Sequence, residues 1–329
     1  MKFSVGNGIV AKFGNHTILL DPKVSDFVSF VSHAHADHSP FGFVKKPYCT
    51  EETYALIKLR DPYFEANVVR ENEKIKFDDF TARLISSGHV LGGAQVFIEA
   101  DGQTLLYTGD FKLSENLTCK PIRIEHADIL ITESTYGTPE YVFPSTATVR
   151  EQIIKWVKEQ LKGNYSIDIG GYQIGKAQEA IKLLNDNGIT PKVSETIRRY
   201  SDIYKKFGVK LDFAKSEDNS KVLVKPMHLL NTTNGRNGRN VKSCALTGWS
   251  LDNGKLDDKT DANVGFPLSD HCDFNQIMEY VEAVGPKQVY CVHGYTQELA
   301  KQIRKRFNIP AKTLDVIQGI SGQRLLIDF

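Results

Sequence analysis

Short apolar runs broken by turn residues alternate along the chain with a few longer stretches of helical period. The opening predicts a hairpin: Ile9-Val10-Ala11, a turn at Gly14-Asn15, then Thr17-Ile18-Leu19-Leu20 running into Asp21-Pro22. The β-branched and aromatic run Val28-Ser29-Phe30-Val31 reads as the end of a buried strand. Helical period follows over 50–59 and short strands over 75–85. Residues 95–99 and 104–107 form a second hairpin around Asp101-Gly102. Another apolar run, Asp128-Ile129-Leu130-Ile131-Thr132, ends at Glu133.

The texture changes near Pro139. Ser145 offers a cap, and Val149, Ile153, Trp156 or Val157, and Leu161 recur at helical spacing up to Gly163. A strand over 165–169, the pair Gly170-Gly171, a helix over 176–187 closed by Gly188, a helix carrying Ile197, Tyr200 and Tyr204, and a strand at 222–224 follow in turn. That succession predicts an α/β unit with its own parallel sheet. Residues 235–242 read as a polar loop, strand texture returns from Ser243, and 252–263 read as a charged surface excursion.

Several predicted strand ends carry one polar group of ligand or acid/base type. Asp21 closes the first hairpin, as a turn cap or as an acid that holds the next loop. That loop is Ser32-His33-Ala34-His35-Ala36-Asp37-His38, three imidazoles and a carboxylate within six residues. His33 and His35 at alternate positions can face one side while Asp37 and His38 turn to another, so two metals can share one loop. Imidazole with carboxylate suits zinc or a similar divalent ion, and burying such a set without one leaves polar groups unpaired. His89 lies among glycines, in a tight turn or where backbone approaches a ligand. Asp110 ends Thr108-Gly109-Asp110, His271 sits in a polar loop before a helix, and His293 ends an apolar strand. His16, His126 and His228 lie in no such context.

Composition narrows the picture. With 329 residues the chain has room for about two domains. A formal net charge of +1 argues against a protein that coats polyanions wholesale, so any nucleic-acid contact comes from a local patch. No apolar span reaches the roughly eighteen residues of a membrane helix, and Met1 to Gly6 lacks the apolar core of a signal peptide. A cytoplasmic location is the default expectation, with no membrane partner. The five scattered cysteines contain no C-x-x-C pair and read as reduced thiols; Cys272 and Cys291 read as small buried hydrophobes. Gly170-x-x-x-x-Gly175-Lys176 nearly spells a phosphate loop, but Ala177 stands where Ser or Thr would hold magnesium. Two readings stay open there: a helix N-terminus that accepts a substrate phosphate, or a tight strand-to-helix turn.

Ser32 to His38, then Gly88-His89, then Thr108-Gly109-Asp110 resemble the metallo-β-lactamase fold. Thr132-Glu133-Ser134-Thr135-Tyr136-Gly137, Ser269-Asp270-His271 and Val292-His293-Gly294 are similar to motifs of its β-CASP nuclease branch, and Gly175-Lys176-Ala177-Gln178-Glu179 to a helix start common in that branch's inserted domain. Residues 116–121, 268–271 and 293–296 look closest to the ligase-associated DNA exonuclease group, related to Artemis-type repair nucleases. The resemblance implies an αββα four-layer sandwich with an inserted Rossmann-like β-CASP domain: residues 1–138 and 244–329 for the sandwich and 139–243 for the insertion. It implies two divalent ions, zinc with manganese as the other option. His33, His35 and His89 would hold one, Asp37, His38 and His293 the second, and Asp110 would bridge them. Asp21 would orient the ligands, and Asp37, Glu133 and His271 would serve catalysis, with His271 facing the scissile phosphate.

The implied activity is a two-metal phosphodiesterase acting on nucleic acid, a DNA exonuclease in repair that leaves 5′-phosphates, with a DNA ligase or helicase as partner by family analogy. RNA processing by an endo- or exoribonuclease of the same family is the alternative. Lys176, Arg198, Arg199, Arg236 and Arg239 are the candidate grip on the strand. Three rival readings stand against this. A thioester or lactam hydrolase needs neither the Ser-Asp-His loop nor the inserted unit, and a non-catalytic scaffold would not need all seven ligands. A redox di-iron protein would need an electron-transfer domain, and none is visible.

Overall fold

Side chains alternating along short strands build two sheets that share one apolar interior. The computed structural model describes residues 1–24, 26–41, 45–215, 218–232, 240–251 and 262–314. The first sheet holds β1 (Lys2–Gly6), β2 (Gly8–Phe13), β3 (His16–Leu20), β4 (Val28–Phe30), β5 (Tyr48–Thr50) and β6 (Asn67–Val69), in that order. Its first three strands are antiparallel and β3 to β6 run parallel. Helix α1 (Glu51–Arg60) starts where the Thr50 hydroxyl oxygen accepts the Thr53 N–H at 3.2 Å. Glu51 and Glu52 at its first turn and Lys58 and Arg60 at its last complement the helix dipole.

The second sheet begins with β7 (Ile75–Lys76), β8 (Phe80–Ser86), β9 (Ala94–Ala100), β10 (Gln103–Tyr107) and β11 (Ile129–Ser134). The chain then leaves it through α2 (Thr146–Lys162), β12 (Ser166–Gly171), α3 (Lys176–Asp186), β13 (Lys192–Val193), α4 (Glu195–Lys206), β14 (Val222–Pro226), β15 (Val241–Leu246) and β16 (Val264–Phe266). These strands form a separate sheet in the order β13-β14-β12-β15-β16, parallel throughout. The strand texture that returns at Ser243 therefore extends this third sheet: β15 pairs with β12, and β16 with β15, instead of rejoining the first two sheets. Finally α5 (Phe274–Val284), β17 (Gln288–Gly294), α6 (Thr296–Phe307) and β18 (Ala311–Thr313) complete the second sheet, whose order is β18-β17-β11-β10-β9-β8-β7.

Three apolar cores follow. Ile9, Ile18, Leu20 and Phe30 meet Leu84, Val96, Ile98 and Ile131 between the two sheets. Helices α5 and α6 cover the outer face of the second sheet through Ile277, Tyr280, Val281, Leu299 and Ile303. Leu56 and Ile57 of α1 share a core with the third sheet's Ile167, Ile169 and Val224 and with α2, α3 and α4. The result is the αββα four-layer sandwich with an inserted α/β unit, and the insert packs on α1. No described helix is long and apolar enough to cross a membrane.

Candidate metal centre

The polar groups gather because β3, β4, β8, β10, β11 and β17 end along one edge. Asp21 follows β3 with φ of +51°, a left-handed conformation that turns its carboxylate back under the histidine loop. One oxygen accepts the Ser32 N–H at 2.6 Å. The other accepts the Ser32 hydroxyl at 2.7 Å, the Tyr107 hydroxyl at 2.7 Å and His38 Nδ1–H at 2.8 Å. Burial favours the protonated acid, yet the His38 bond and charge with the Ser32 donors hold its pKa below the usual value.

These outer bonds fix tautomers. Ser32 gives its only hydroxyl proton to Asp21, so at 2.9 Å it accepts from His33 Nδ1–H, and His33 Nε2 is a bare lone pair. His35 Nε2 faces the Ile174 carbonyl at 3.1 Å and His89 Nδ1 faces the Asp270 carbonyl at 2.8 Å. A carbonyl only accepts, so both nitrogens carry the proton and leave His35 Nδ1 and His89 Nε2 bare. His35 Nδ1 then lies 3.1 Å from both His33 Nε2 and His89 Nε2, three lone pairs facing one another. Asp110 Oδ2 joins them at 3.4 Å from His33 Nε2 and 3.7 Å from His89 Nε2, and the four ligand atoms lie within 4.8 Å of one another. Such a set repels itself unless a cation sits among it, so the donors present fit a divalent metal.

Asp110 faces two ways. Its Oδ1 is 3.3 Å from His38 Nε2, on the side where Asp37 Oδ2 lies 3.8 Å from the same nitrogen. The His38 and His293 rings are 5.1 Å apart, so this second group is nearby but looser, and the Asp37 side chain is 78% exposed. Burial opposes a charged imidazole at His38, but Asp110 and Asp21 outweigh it and raise its pKa to about 10. Burial and neighbouring imidazoles push His33 well below its ordinary value, and His89 likewise. Burial raises the Asp110 carboxyl.

His271 and Glu133 form the other half of the site. His271 Nδ1 lies 3.0 Å from both Glu133 oxygens, and its Nε2 points toward Asp110 Oδ2 at 4.0 Å. Glu133 also accepts the Phe111 N–H at 2.9 Å and the Thr135 hydroxyl. Burial works against the His271 cation, yet Glu133 and Asp110 raise its pKa to about 9, and His271 holds the buried Glu133 below its usual range. Asp110, Glu133 and His271 also satisfy metal-ligand spacing as a set.

The inserted unit reaches into this centre through Gln173 to Lys176. Ile174 holds His35, and Gly175, with φ of +90°, lets the helix start lie against Asp270; a Cβ there would sit 3.1 Å from Asp270 Oδ2 and 2.6 Å from Val90 Cγ1. Lys176, expected to grip substrate, is instead 3% exposed, with its ammonium 3.2 Å from Asp270 Oδ2 and 4.7 Å from the Tyr172 ring centroid. The anion at this helix start is the chain's own carboxylate, which favours the tight strand-to-helix turn of the two open readings. Arg198 pairs along α4 with Glu195 at 2.7 Å and Asp202 at 3.3 Å, and Arg199 is exposed on the same helix. Arg236 and Arg239 lie outside the described residues.

Some contributors escaped the sequence. Lys23 donates to the carbonyls of Ala36 at 3.2 Å and Ser39 at 3.4 Å and also reaches that of Asp37; Arg60 donates to that of Ala34 at 3.0 Å. Both turn the loop's carbonyls outward and its imidazoles inward, through backbone partners that leave no motif. Tyr107 had a signal, as the last residue of a strand that ends on the same edge. Cys272 and Cys291 are buried in the α5–α6 core as expected, and Cys272 Sγ also accepts the Leu113 N–H at 3.1 Å.

Residues 264–314 match the family described as Zn-dependent metallo-hydrolase RNA specificity domain. A probable DNA ligase of Opitutus terrae is 31% identical over 294 residues, 87% of this chain and 29% of that protein. An RNase J-like protein of Methanocaldococcus jannaschii is 34% identical over 197 residues, 51% of this chain and 45% of that protein. The chain thus spans less than half the length of either relative. A crystal structure of an Enterococcus faecalis protein of unknown function shares the fold, with a TM-score of 0.65 at 14% identity over 96% of this chain and 97% of that one. The layers, the insert and these likenesses agree, and the chain belongs to the β-CASP nuclease family of the metallo-β-lactamase fold.

Proposed function

We propose that this chain is a metal-dependent hydrolase of phosphodiester bonds in nucleic acid, acting as a DNA exonuclease in repair and leaving 5′-phosphates. The observation that carries the reading is the inward-facing donor set around Asp110, with the His271–Glu133 couple reaching the same carboxylate at 4.0 Å. His33, His35 and His89 would hold one divalent ion, and Asp37, His38 and His293 another, with Asp110 shared. The imidazole-rich set favours zinc over manganese. When bound, such ions supply Lewis-acid polarisation of a phosphoryl oxygen and neutralise the charge that develops in displacement.

The chain's own residues supply the rest. Glu133 accepts His271 Nδ1–H and keeps the ring charged near neutrality, so Nε2–H faces the site as a donor. His271 thereby protonates the departing 3′-oxygen. Asp21 and the carbonyls of Ile174 and Asp270 keep the ligand rings from rotating. We assign residues 139–266 to the inserted unit, because β16 belongs to its sheet, and the flanks to the sandwich.

DNA is favoured because the likeness to the probable DNA ligase runs over 87% of this chain, insert included, and a DNA ligase is the natural partner for such an activity. RNA processing is the second reading, favoured by the matched RNA specificity domain and the RNase J-like relative. Metal-loaded protein incubated with end-labelled DNA and RNA, single and double stranded, separates them. Stepwise shortening of DNA from one end is expected. Cleavage of RNA alone would replace the DNA reading, and no cleavage of either polymer would overturn both.

A further inference from the structure

A group of aromatic rings beside His271 takes no part in the chemistry above. Tyr136 is buried, and its ring centroid lies 6.1 Å from that of His271. From it the rings continue outward: Trp249 at 4.8 Å from Tyr136, Tyr141 at 5.3 Å from Trp249, and Tyr295 at 5.6 Å from Tyr141. Tyr295 stands two residues after His293, so the group borders the site on both the His271 and the His293 side. Trp249 is 43% exposed and Tyr295 39%.

The rings come from separate parts of the molecule and are held firmly. Tyr136 and Tyr141 lie on the loop after β11, Trp249 follows β15 of the third sheet, and Tyr295 opens α6. Gly248 has no room for a side chain: a Cβ would lie 2.4 Å from the Tyr136 hydroxyl and 3.0 Å from Phe143, so Tyr136 packs onto the backbone beside Trp249. The Tyr141 carbonyl accepts the Phe274 N–H at 3.0 Å, which ties the loop to the start of α5. Trp249 meets Tyr141 edge to face at 89°, and Tyr295 meets it at 44°. With about two-fifths of their surface exposed, Trp249 and Tyr295 keep ring surface accessible to a planar partner.

We propose that this platform stacks the unpaired bases of a nucleic-acid single strand whose scissile phosphate lies at His271, an inference that rests on the phosphodiesterase reading above. Every base has a π-face, so rigid aromatics next to a phosphate-processing centre hold a strand of any sequence, which suits an enzyme that moves along its substrate. The occupant is a base and not a protein side chain because the platform is continuous with the site where the strand's own phosphate must sit. Of the cations expected to hold the strand, Lys176 and Arg198 pair with the chain's own carboxylates, so stacking would add grip beside the site.

The test compares two dye-labelled strands of equal length, oligothymidylate and a chain of tetrahydrofuran abasic residues, with the metal-loaded full chain. Trp249→Ala is expected to raise KM for oligothymidylate about 5- to 150-fold, the range for losing one stacked base, and to leave KM for the abasic strand unchanged. Trp249→Phe is expected to restore most of the loss, and Tyr295→Ala to repeat it independently. Equal losses on both strands, or none on either, would overturn the platform while leaving the nuclease reading intact. If the wild-type chain cleaves neither strand, the DNA reading falls and Trp249 fluorescence in a Trp156→Phe background decides alone. Quenching by oligothymidylate and not by the abasic strand keeps the platform, and its absence removes it.

Discussion

Four donors on the two oxygens of Asp21 decide which nitrogen of His33 and of His38 faces inward, so one carboxylate sets the chemistry of a site it does not enter. His271 is different, because its ring points at the reacting centre and Glu133 only charges it. Replacing it should therefore separate binding from chemistry. His271→Ala is expected to retain its metal by elemental analysis and to lose about 10²- to 10⁴-fold in kcat, whereas Asp110→Ala should lose metal itself. A fully active His271→Ala protein would remove the acid role. At this scale much was legible: His33, His35, His38, His89, Asp110 and His293 stand out because ligand-type residues recur at strand ends, and His271 because it sits in a polar loop before a helix. A sequence does not show that the Lys176 side chain is 3% exposed and faces Asp270. Lys23 and Arg60 were invisible because their partners are carbonyls 13 to 26 positions away.

Among the elements, the pairing of β11 with β17 shows how register makes a ligand. Glu133 pairs with Val292 and Ser134 with Gly294, so His293 is the extra residue of a bulge, with φ of +55°. The start of the same strands is held by Asp128, which accepts Thr104 N–H at 2.9 Å and Lys287 Nζ at 2.7 Å. Lys287, then the Thr104 donors, lower its carboxyl to about 2. A carboxyl depressed in the fold contributes stability above its unfolded value of about 3.9 and loses it as pH falls toward 2. Asp128→Asn should lower the denaturant midpoint at pH 7, with the gap to wild type closing between about pH 4 and pH 2; a gap independent of pH would refute that. The hairpins and helices α1 to α5 were readable from turns, caps and period, and α6 was not. β1, β5, β6, β13, β16 and β18 were not, being two to five residues long and specified by their sheet neighbours.

Across the whole molecule, the insert is joined to the sandwich by buried charge. Lys112, from the loop after β10, lies 3.4 Å from Glu179 of α3, which Arg150 of α2 also meets at 2.7 Å. Removing the acid strands the buried Lys112 ammonium, while Arg150 keeps Glu115 at 3.3 Å. Glu179→Leu is thus expected to cost about 3–5 kcal/mol, and adding Lys112→Met should recover most of it. Urea unfolding of the single and double variants measures the difference, and a double variant no better than the single would show that the loss is one of packing. The two-unit plan could be read from the change of texture near Pro139. Its far boundary could not, because β15 and β16 lie in the third sheet by pairing alone. The turn at Gln173 to Lys176 carries a last consequence. Its Ile174 carbonyl and the Asp270 that it cradles are at once contacts between the units and the locks on His35 and His89. Seating the insert and presenting the lone pairs are then a single equilibrium. By thermodynamic reciprocity, a cation held by those lone pairs strengthens the seating of the insert by the same factor that seating strengthens the cation.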